Sequence, residues 1–595
     1  MMEPFERIDI QELPLSVPSF RRQVEDFLGS NGLRLGEVDL YLAVLSEDGS
    51  ILAGGGLRRD LLKCLAVSET ARSLGLSVPL ISRLISVAAE RGFTNVKVFT
   101  KPENLSVFES LGFKLLAQAP KAILLENGRG LEDYCNYLRG HQASGVIVMN
   151  ANPFTVGHRY LVEQASLSLQ GSDLLSFRAP EGRRNLCIIP VREDASRFPY
   201  SERLDMIRKG AEDLAEVVEG SDYQISAATF PTYFLKDLSD AAETQMRLDI
   251  DLFGRHIAPA LGATVRFVGS EPADPLTARY NALMKEILPA YGVQVVEIPR
   301  LADAEGPVTA SRVRELLDGG SFAKASVLTP ASTHPFLLAF LAERALRMEL
   351  DTPLKPGLVG PDSNGAHKDM DYALMRKGLD AIRPFFPRLA MAGSPEEVRQ
   401  LGIDAENAML AATGGMNTHR GAIFALGIAL NVVGRRMEVA DNKRDMQTAF
   451  ACRAESIIDN SLNDSELHST ATSHGMEAVR QYGVLGAREM ALGGYRQLFE
   501  DWLPFLSSRP GEARGETCRQ RLLLRIMSTL DDTCVIHRVG YERARRVKAE
   551  AKVLLEDFST DRLEGLCARF TAEGISPGGA ADMLALTLFM DSILN

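Results

Sequence analysis

Near Leu328 the chain changes the period on which its apolar residues recur. Before that point short β-branched runs alternate with helical stretches, and such alternation folds as a sheet covered by helices. Beyond it strand patterns nearly vanish. Long stretches rich in Ala, Leu, Arg and Glu follow the helical period and predict an all-helical domain. The break falls around Gly319-Gly320 and Thr329-Pro330, residues that interrupt regular structure. The chain has 595 residues, about four times a typical ~150-residue domain, so several cores are expected. The expected division is residues 1–128, 129–328 and 329–595.

Composition narrows the function classes. Lys and Arg number 66 against 78 acidic residues, and the net charge of -12 argues against a nucleic-acid coat. Hydrophobic residues make up 45% of the chain, enough to fill large cores. Seven cysteines stand apart with no Cys-x-x-Cys pair, so neither a zinc ribbon nor a disulfide framework is signalled and a reducing compartment is expected. The start carries Glu3, Glu6 and Asp9 rather than a basic, then apolar, leader. The longest apolar stretch, Gly421 to Gly434, is shorter than the ~20 residues of a membrane span. A cytoplasmic protein that engages neither membrane nor nucleic acid is expected.

The first 125 residues read as strands at Tyr41–Leu45, Ile51–Gly55, Leu62–Val67 and Val96–Thr100, with a helix at Val78–Arg91 between the last two. This order, followed by Asn104-Leu-Ser-Val-Phe-Glu-Ser-Leu-Gly-Phe113, resembles the Gcn5-related acetyltransferase (GNAT) fold. In that family a glycine-rich turn holds the coenzyme A pyrophosphate. The matching stretch here is Arg72-Ser-Leu-Gly-Leu-Ser77, which keeps only Gly75 of the glycines. Acetyl transfer, an acyl-carrier or scaffold role, and a purely structural domain all stay open.

A second α/β pattern has strands at Gly145–Met149, Leu186–Val191, Thr264–Val268 and Val293–Ile298. It predicts a doubly wound parallel sheet with ligands beyond the carboxyl ends of its strands. There Val146-Ile-Val-Met-Asn-Ala-Asn-Pro-Phe-Thr-Val-Gly-His-Arg-Tyr160 runs from strand through turn to helix start. Free helical N–H groups attract an anion, Gly157 permits close approach, and His158 can donate to charge developing on an α-phosphate. Downstream, Val308-Thr-Ala-Ser-Arg-Val-Arg314 offers the Thr309 and Ser311 hydroxyls and the fixed fork of Arg314 for a leaving pyrophosphate. The two strings resemble the motifs of the His-x-Gly-His (HxGH) nucleotidyltransferases, with Thr155 at the first histidine position. In this class Val268-Gly-Ser-Glu-Pro-Ala-Asp274 matches the loop that reads adenine and ribose, which implies Gly269 and Glu271 as nucleotide-binding residues alongside Asn152.

Asn152 to Leu161, Glu193-Asp-Ala-Ser-Arg-Phe-Pro-Tyr200 with Arg203, and Phe230-Pro-Thr-Tyr-Phe-Leu-Lys236 sharpen the likeness. Residues 1–328 resemble the citrate lyase ligase family. This implies activation of acetate by ATP as acetyl-adenylate, with loss of pyrophosphate. Acetyl then passes to the prosthetic-group thiol on the acyl-carrier subunit of citrate lyase. Lys236 and Arg203 are candidates for holding phosphate or acetate, and an ordinary surface role for both stays equally open.

The helical half opens with a loop rich in Gly and Pro, Thr352 to Asp371, and such a loop in an α-domain suggests function. Lys355, His367 and Lys368 are candidates for phosphate, and Asp369 and Asp371 supply hard oxygens suited to magnesium. Two further polar clusters interrupt apolar helices: Thr413 to Ala422, with Asn417, His419 and Arg420, and Leu530 to Gly540, with Asp531, Asp532, His537 and Arg538. The adjacent carboxylates at Asp531 and Asp532 suit a cation bound to polyphosphate. These strings, with Tyr482-Gly-Val-Leu-Gly-Ala-Arg-Glu489 and Ser576-Pro-Gly-Gly-Ala-Ala-Asp582, resemble the triphosphoribosyl-dephospho-coenzyme A synthase family across residues 350 to 595.

The family reaction has the 2′-hydroxyl of dephospho-coenzyme A attack the ribose C1 of ATP. Adenine leaves and the triphosphate stays on the product. The resemblance implies Asp369, Asp371, Asp531 and Asp532 for magnesium or base, and Lys355, Lys368, Arg420, Arg488 and Arg538 for phosphate. The whole chain then reads as a bifunctional citrate lyase maturation enzyme using ATP, Mg2+, acetate and dephospho-coenzyme A. Two alternatives stand beside it: a ligase for another small carboxylate, and a chain in which one half is a binding module.

Overall fold

The computed structural model describes residues 8–170, 184–192, 196–223, 238–271, 274–436, 443–459, 474–508 and 515–594. The chain is multidomain and separates into two compact units, Met1–Val308 and Thr309–Asn595.

The first unit carries two large sheets. The first is mixed and seven-stranded, built from β1 (Ile10–Glu12), β2 (Leu40–Leu45), β3 (Ile51–Arg58), β4 (Leu61–Val67), β5 (Val96–Thr100), β6 (Lys114–Gln118) and β7 (Ile123–Asn127), in spatial order β1-β2-β3-β4-β5-β7-β6. Most neighbours are antiparallel. The exception is β4 with β5, parallel and paired only at Leu61 with Lys97 and Leu62 with Val98. The helix Ser77–Glu90 buries Leu80, Ile81, Leu84, Val87 and Ala88 in the core of this sheet.

The second sheet is parallel, formed by β8 (Gly145–Met149), β9 (Leu186–Pro190), β10 (Glu216–Val217), β11 (Val265–Gly269) and β12 (Gln294–Ile298) in the order β10-β9-β8-β11-β12. Its central strand β8 reads Gly-Val-Ile-Val-Met and is almost wholly buried, as an interior parallel strand covered on both faces must be. The order reverses between β8 and β11, which opens a crevice at their carboxyl ends. Leu116, Ala117 and Leu124 of the mixed sheet share one core with Leu138, Val146, Leu252 and Leu261. Polar ties cross that core. The Gln118 N–H donates to Asp251 (2.8 Å), and the buried Glu126 accepts the hydroxyl of Tyr223.

Among the described residues the second unit is built of helices and the loops between them. Its centre is the helix Gly578–Leu594, apolar on nearly every face, against which His334–Leu350, Arg420–Arg436 and Glu516–Thr529 pack. The loop from Thr352 to Asp371 lies against the segment leading into this helix, closely enough that a Cβ on Gly357 would stand 1.8 Å from the Ile575 carbonyl oxygen. No described helix is long and apolar enough to cross a membrane.

Candidate functional site

The crevice between β8 and β11 gathers the first set of predicted residues. The turn after β8 leads into the helix Val156–Gln170, and Thr155 caps its start by accepting the His158 N–H on Oγ1 (3.2 Å). His158 folds back on the same residue. Its Nδ1 lies 3.0 Å from the Thr155 backbone nitrogen, which donates to it, and 2.8 Å from Thr155 Oγ1. A ring nitrogen that accepts a backbone N–H carries no proton, so the neutral ring bears its hydrogen on Nε2. Burial, then the charge of Arg300, lower the His158 pKa to about 4, so the imidazole is neutral at ordinary pH.

Gly157 is required by packing. A Cβ there would lie 2.7 Å from the carbonyl oxygen of Val308. Asn152 accepts the Phe198 N–H on Oδ1 (3.2 Å). Arg203 is fully buried, and its guanidinium donates to the Phe198 carbonyl (3.1 Å), the Val191 carbonyl (2.9 Å) and both Asn150 oxygens (2.7 and 2.9 Å). It braces the ends of β8 and β9 rather than forming part of the surface.

Across the crevice, Gly269 has open space on its side-chain face, and its carbonyl accepts from Asn281 Nδ2 (2.9 Å). Glu271 forms an ion pair with Arg300, whose N–H groups also reach Ser270 (2.9 and 3.1 Å). Lys236 and the Phe230–Lys236 string lie outside the described residues.

The second motif opens the second unit. Thr309 caps the helix Ala310–Asp318 through the Arg312 N–H (3.1 Å), and Arg314 donates to Ser311 Oγ (2.9 Å) within that helix.

Within the second unit a cavity of about 1100 Å³ brings distant strings together: His367, Asn417 to Arg420, Arg488, Asp531 and Asp532, His537 and Arg538 all line it. His367 Nε2 meets Ser576 Oγ at 2.8 Å, and its Nδ1 lies 3.4 Å from Arg538. Burial, aided by Lys355, lowers the His419 pKa to about 4. Asn417 accepts the Arg420 N–H at 3.1 Å, and Arg420 pairs with Glu406.

Several predicted residues stand differently from their expected roles. Lys355 is buried and paired with the buried Glu349 at 2.5 Å, so its ammonium is engaged inside the fold. Lys368, Asp369 and Asp371 line a neighbouring recess of about 420 Å³ that Met370 shares with the large cavity. Asp371 is a helix cap for Leu374 (2.7 Å). Asp532 likewise caps the helix Thr533–Val539, accepting from Cys534 (2.9 Å) and Val535 (3.3 Å) on one oxygen and from Ala580 (2.9 Å) on the other. Asp531 pairs with Lys548 at 2.6 Å.

A magnesium cage built from protein alone does not fit this donor set: among the described residues no three His, Cys, Asp or Glu side chains gather as ligands. A magnesium ion held mainly by phosphate and water, with one or two carboxylates, does fit.

Three cavity residues escape sequence reasoning. Glu349 sits in an ordinary helical pattern, Asp582 closes a quoted string without an assigned role, and Tyr495 follows a plain Gly-Gly pair.

Two family models match this chain. The citrate lyase ligase C-terminal domain matches residues 144–337, and the ATP:dephospho-CoA triphosphoribosyl transferase matches residues 335–595. A citrate (pro-3S)-lyase ligase of Klebsiella pneumoniae is 39% identical over 331 residues, 53% of this chain and 92% of the relative. The one of Escherichia coli K12 is 37% identical over 328 residues, 53% of this chain and 89% of the relative. A probable 2-(5″-triphosphoribosyl)-3′-dephosphocoenzyme-A synthase of Stutzerimonas stutzeri is 39% identical over 272 residues, 43% of this chain and 91% of the relative. With a ligase-like region followed by a transferase-like one, the chain belongs both to the citrate lyase ligase family and to the triphosphoribosyl-dephospho-coenzyme A synthase family.

Proposed function

We propose that this chain is a bifunctional citrate lyase maturation enzyme, with one ATP reaction in each of its two family regions. The observation that carries the reading is the pairing of a Thr155–His158 turn at the β8/β11 crevice with a separate polar cavity in the helical unit. The two reactions break different bonds of ATP and so need two nucleotide sites.

In the ligase reaction acetate attacks the α-phosphate of ATP, pyrophosphate leaves, and the acetyl-adenylate is cleaved by the prosthetic-group thiol of the lyase acyl-carrier subunit. His158 donates from Nε2 to the α-phosphate as charge builds there, with Thr155 fixing its ring. Gly269, Glu271 and Asn152 frame the adenosine end. By the resemblance of their motifs, Thr309, Ser311, Arg314 and Lys236 are the candidates for the pyrophosphate. The parallel sheet fits an HxGH nucleotidyltransferase domain over residues 129–328. The order of strands, the helix Ser77–Glu90 and a further strand in the mixed sheet fits a GNAT-like domain over residues 1–128. Residues 329–595 form the transferase domain.

In the transferase reaction the triphosphate is held by His367, His419, Arg420, Arg488, His537 and Arg538, with Asn417 at the helix start and Lys368 at the neighbouring recess. Lys355 acts through His419 and Glu349 from behind the cavity wall. Magnesium enters with the triphosphate and neutralises its charge. Asp369 and Asp531 are the carboxylates assigned to it, while Asp371 and Asp532 fix the helices beside them. ATP, dephospho-coenzyme A and an all-free set of seven cysteines support a cytoplasmic setting.

Chromatography of ATP, magnesium, dephospho-coenzyme A and the purified chain tests the reading. Adenine release that requires dephospho-coenzyme A, together with acetate-dependent pyrophosphate release, is expected. Loss of either signal reduces that unit to a binding module.

A further inference from the structure

Of the carboxylates that line the helical unit's cavity, Glu349, Asp532 and Asp582 are not equivalent. Glu349 is neutralised by Lys355, and Asp532 is saturated by backbone N–H groups at a helix start. Among the described residues, Asp582 has only the support of the Ala422 backbone. It lies so close to the start of the helix Arg420–Arg436 that a Cβ on Gly421 would stand 2.0 Å from its Oδ2. It therefore faces the cavity with bonding capacity to spare.

Tyr495 lines the same cavity and is 3% exposed, yet its hydroxyl has no hydrogen-bond partner among the described residues. Its ring is locked edge-on against Phe450, with centroids 5.8 Å apart. Its φ is +51°, directly after Gly494 at +67°, and a Cβ on Gly494 would lie 2.3 Å from the Gln447 carbonyl oxygen. A strained backbone that aims a buried, unbonded hydroxyl at a cavity is a feature that ligand binding explains and folding alone does not.

We infer that Tyr495 and Asp582 contact the purine of ATP in the transferase reaction, and that Asp582 supplies the proton that departs with adenine. The inference rests on the proposed transferase function and extends it. Both groups are hydrogen-bond donors. Burial, then repulsion from Glu349 and Asp532, hold the Asp582 carboxyl well above the usual carboxylate range, which favours its protonated, donating form. The other groups facing it are the Tyr495 phenol and the Cys534 thiol, and burial raises both.

The ring nitrogens of adenine are acceptors, which two donors match. As the 2′-oxygen bonds to C1, the C1–N9 bond breaks and its electron pair enters the purine, followed by the Asp582 proton. The proton of the attacking hydroxyl restores the Asp582 carboxyl. No other reactant is consumed.

The test uses the full chain carrying Tyr495→Phe, Asp582→Asn or Asp582→Glu, with acetate-dependent pyrophosphate release as the internal control. Tyr495→Phe removes one oxygen that bonds none of the described residues, so its melting temperature should equal or exceed that of the parent. Its adenine release should nonetheless fall about 10- to 100-fold. Asp582→Asn should lose at least 100-fold in kcat and abolish the alkaline decline of the parent's pH profile, with partial recovery in Asp582→Glu. Parent-like turnover by Tyr495→Phe, or an alkaline limb retained by Asp582→Asn, overturns the inference. A parent chain that releases no adenine overturns the transferase reading itself, which is a different result.

Discussion

Thr155 grips His158 twice, through its backbone N–H at 3.0 Å and its hydroxyl at 2.8 Å, both on Nδ1. The ring is thereby fixed with Nε2 as its only outward donor. Replacing His158 by Ala should lower acetate-dependent pyrophosphate release by about 10²- to 10³-fold, the usual effect of removing one donor to a developing oxyanion. Adenine release should be unchanged, since it belongs to the other unit. With a pKa of about 4, His158 should leave no inflection near pH ~6.5 in the ligase profile.

Gly157→Ala should act on the same reaction by geometry alone. A Cβ 2.7 Å from the Val308 carbonyl oxygen must push the helix start or the chain after β12 aside. A displacement of that order costs about 10²-fold in a positioned reaction. Pyrophosphate assays that find parent-like activity would show that the helix start moves without consequence.

The Glu349–Lys355 pair should reveal itself as a coupling. Glu349→Gln alone leaves a buried ammonium uncompensated and should destabilise the helical unit by about 3–5 kcal/mol. The double variant Glu349→Leu with Lys355→Met should recover most of that loss. Trp502 is the chain's only tryptophan and is buried in this unit, so denaturant unfolding followed by its fluorescence reads the unit directly. An additive double variant would remove the pair from the list of coupled contacts.

His419 makes the stability of the helical unit depend on pH. Unfolded, its imidazole takes a proton below ~6.5, whereas the folded ring resists until about 4. The unfolded state therefore binds more protons between those values. Stability is complete above pH ~6.5 and should fall as pH drops toward 4, by up to about 3 kcal/mol from this residue. His419→Gln should flatten that slope in melting experiments run across the window.

Much of the fold was legible because it is local. The strands at Val96–Thr100 and Gly145–Met149 coincide with the observed ones, since β-branched runs bounded by turns leave little choice. The strings around His158, His367, His419 and His537 were visible for the same reason. What escaped depends on partners far along the chain. Lys355 resembled a phosphate ligand because its own loop is polar, while its fate is set by Glu349 in the last turn of the preceding helix. Gly157 was read as room for phosphate, and its packing reason, the Val308 carbonyl, lies about 150 residues away. Tyr495 carries no local mark, because an unbonded hydroxyl and a left-handed backbone are properties of the packed state.

The helix Gly578–Leu594 supplies Asp582, and Ala580 within it ties down Asp532. The cavity of the helical unit thus lacks part of its wall until the last described element has been made. On a ribosome, where folding proceeds from the first residues onward, the parallel sheet that holds His158 is complete on the order of tens of seconds earlier. The two halves of the chain would come into working order one after the other, the ligase first.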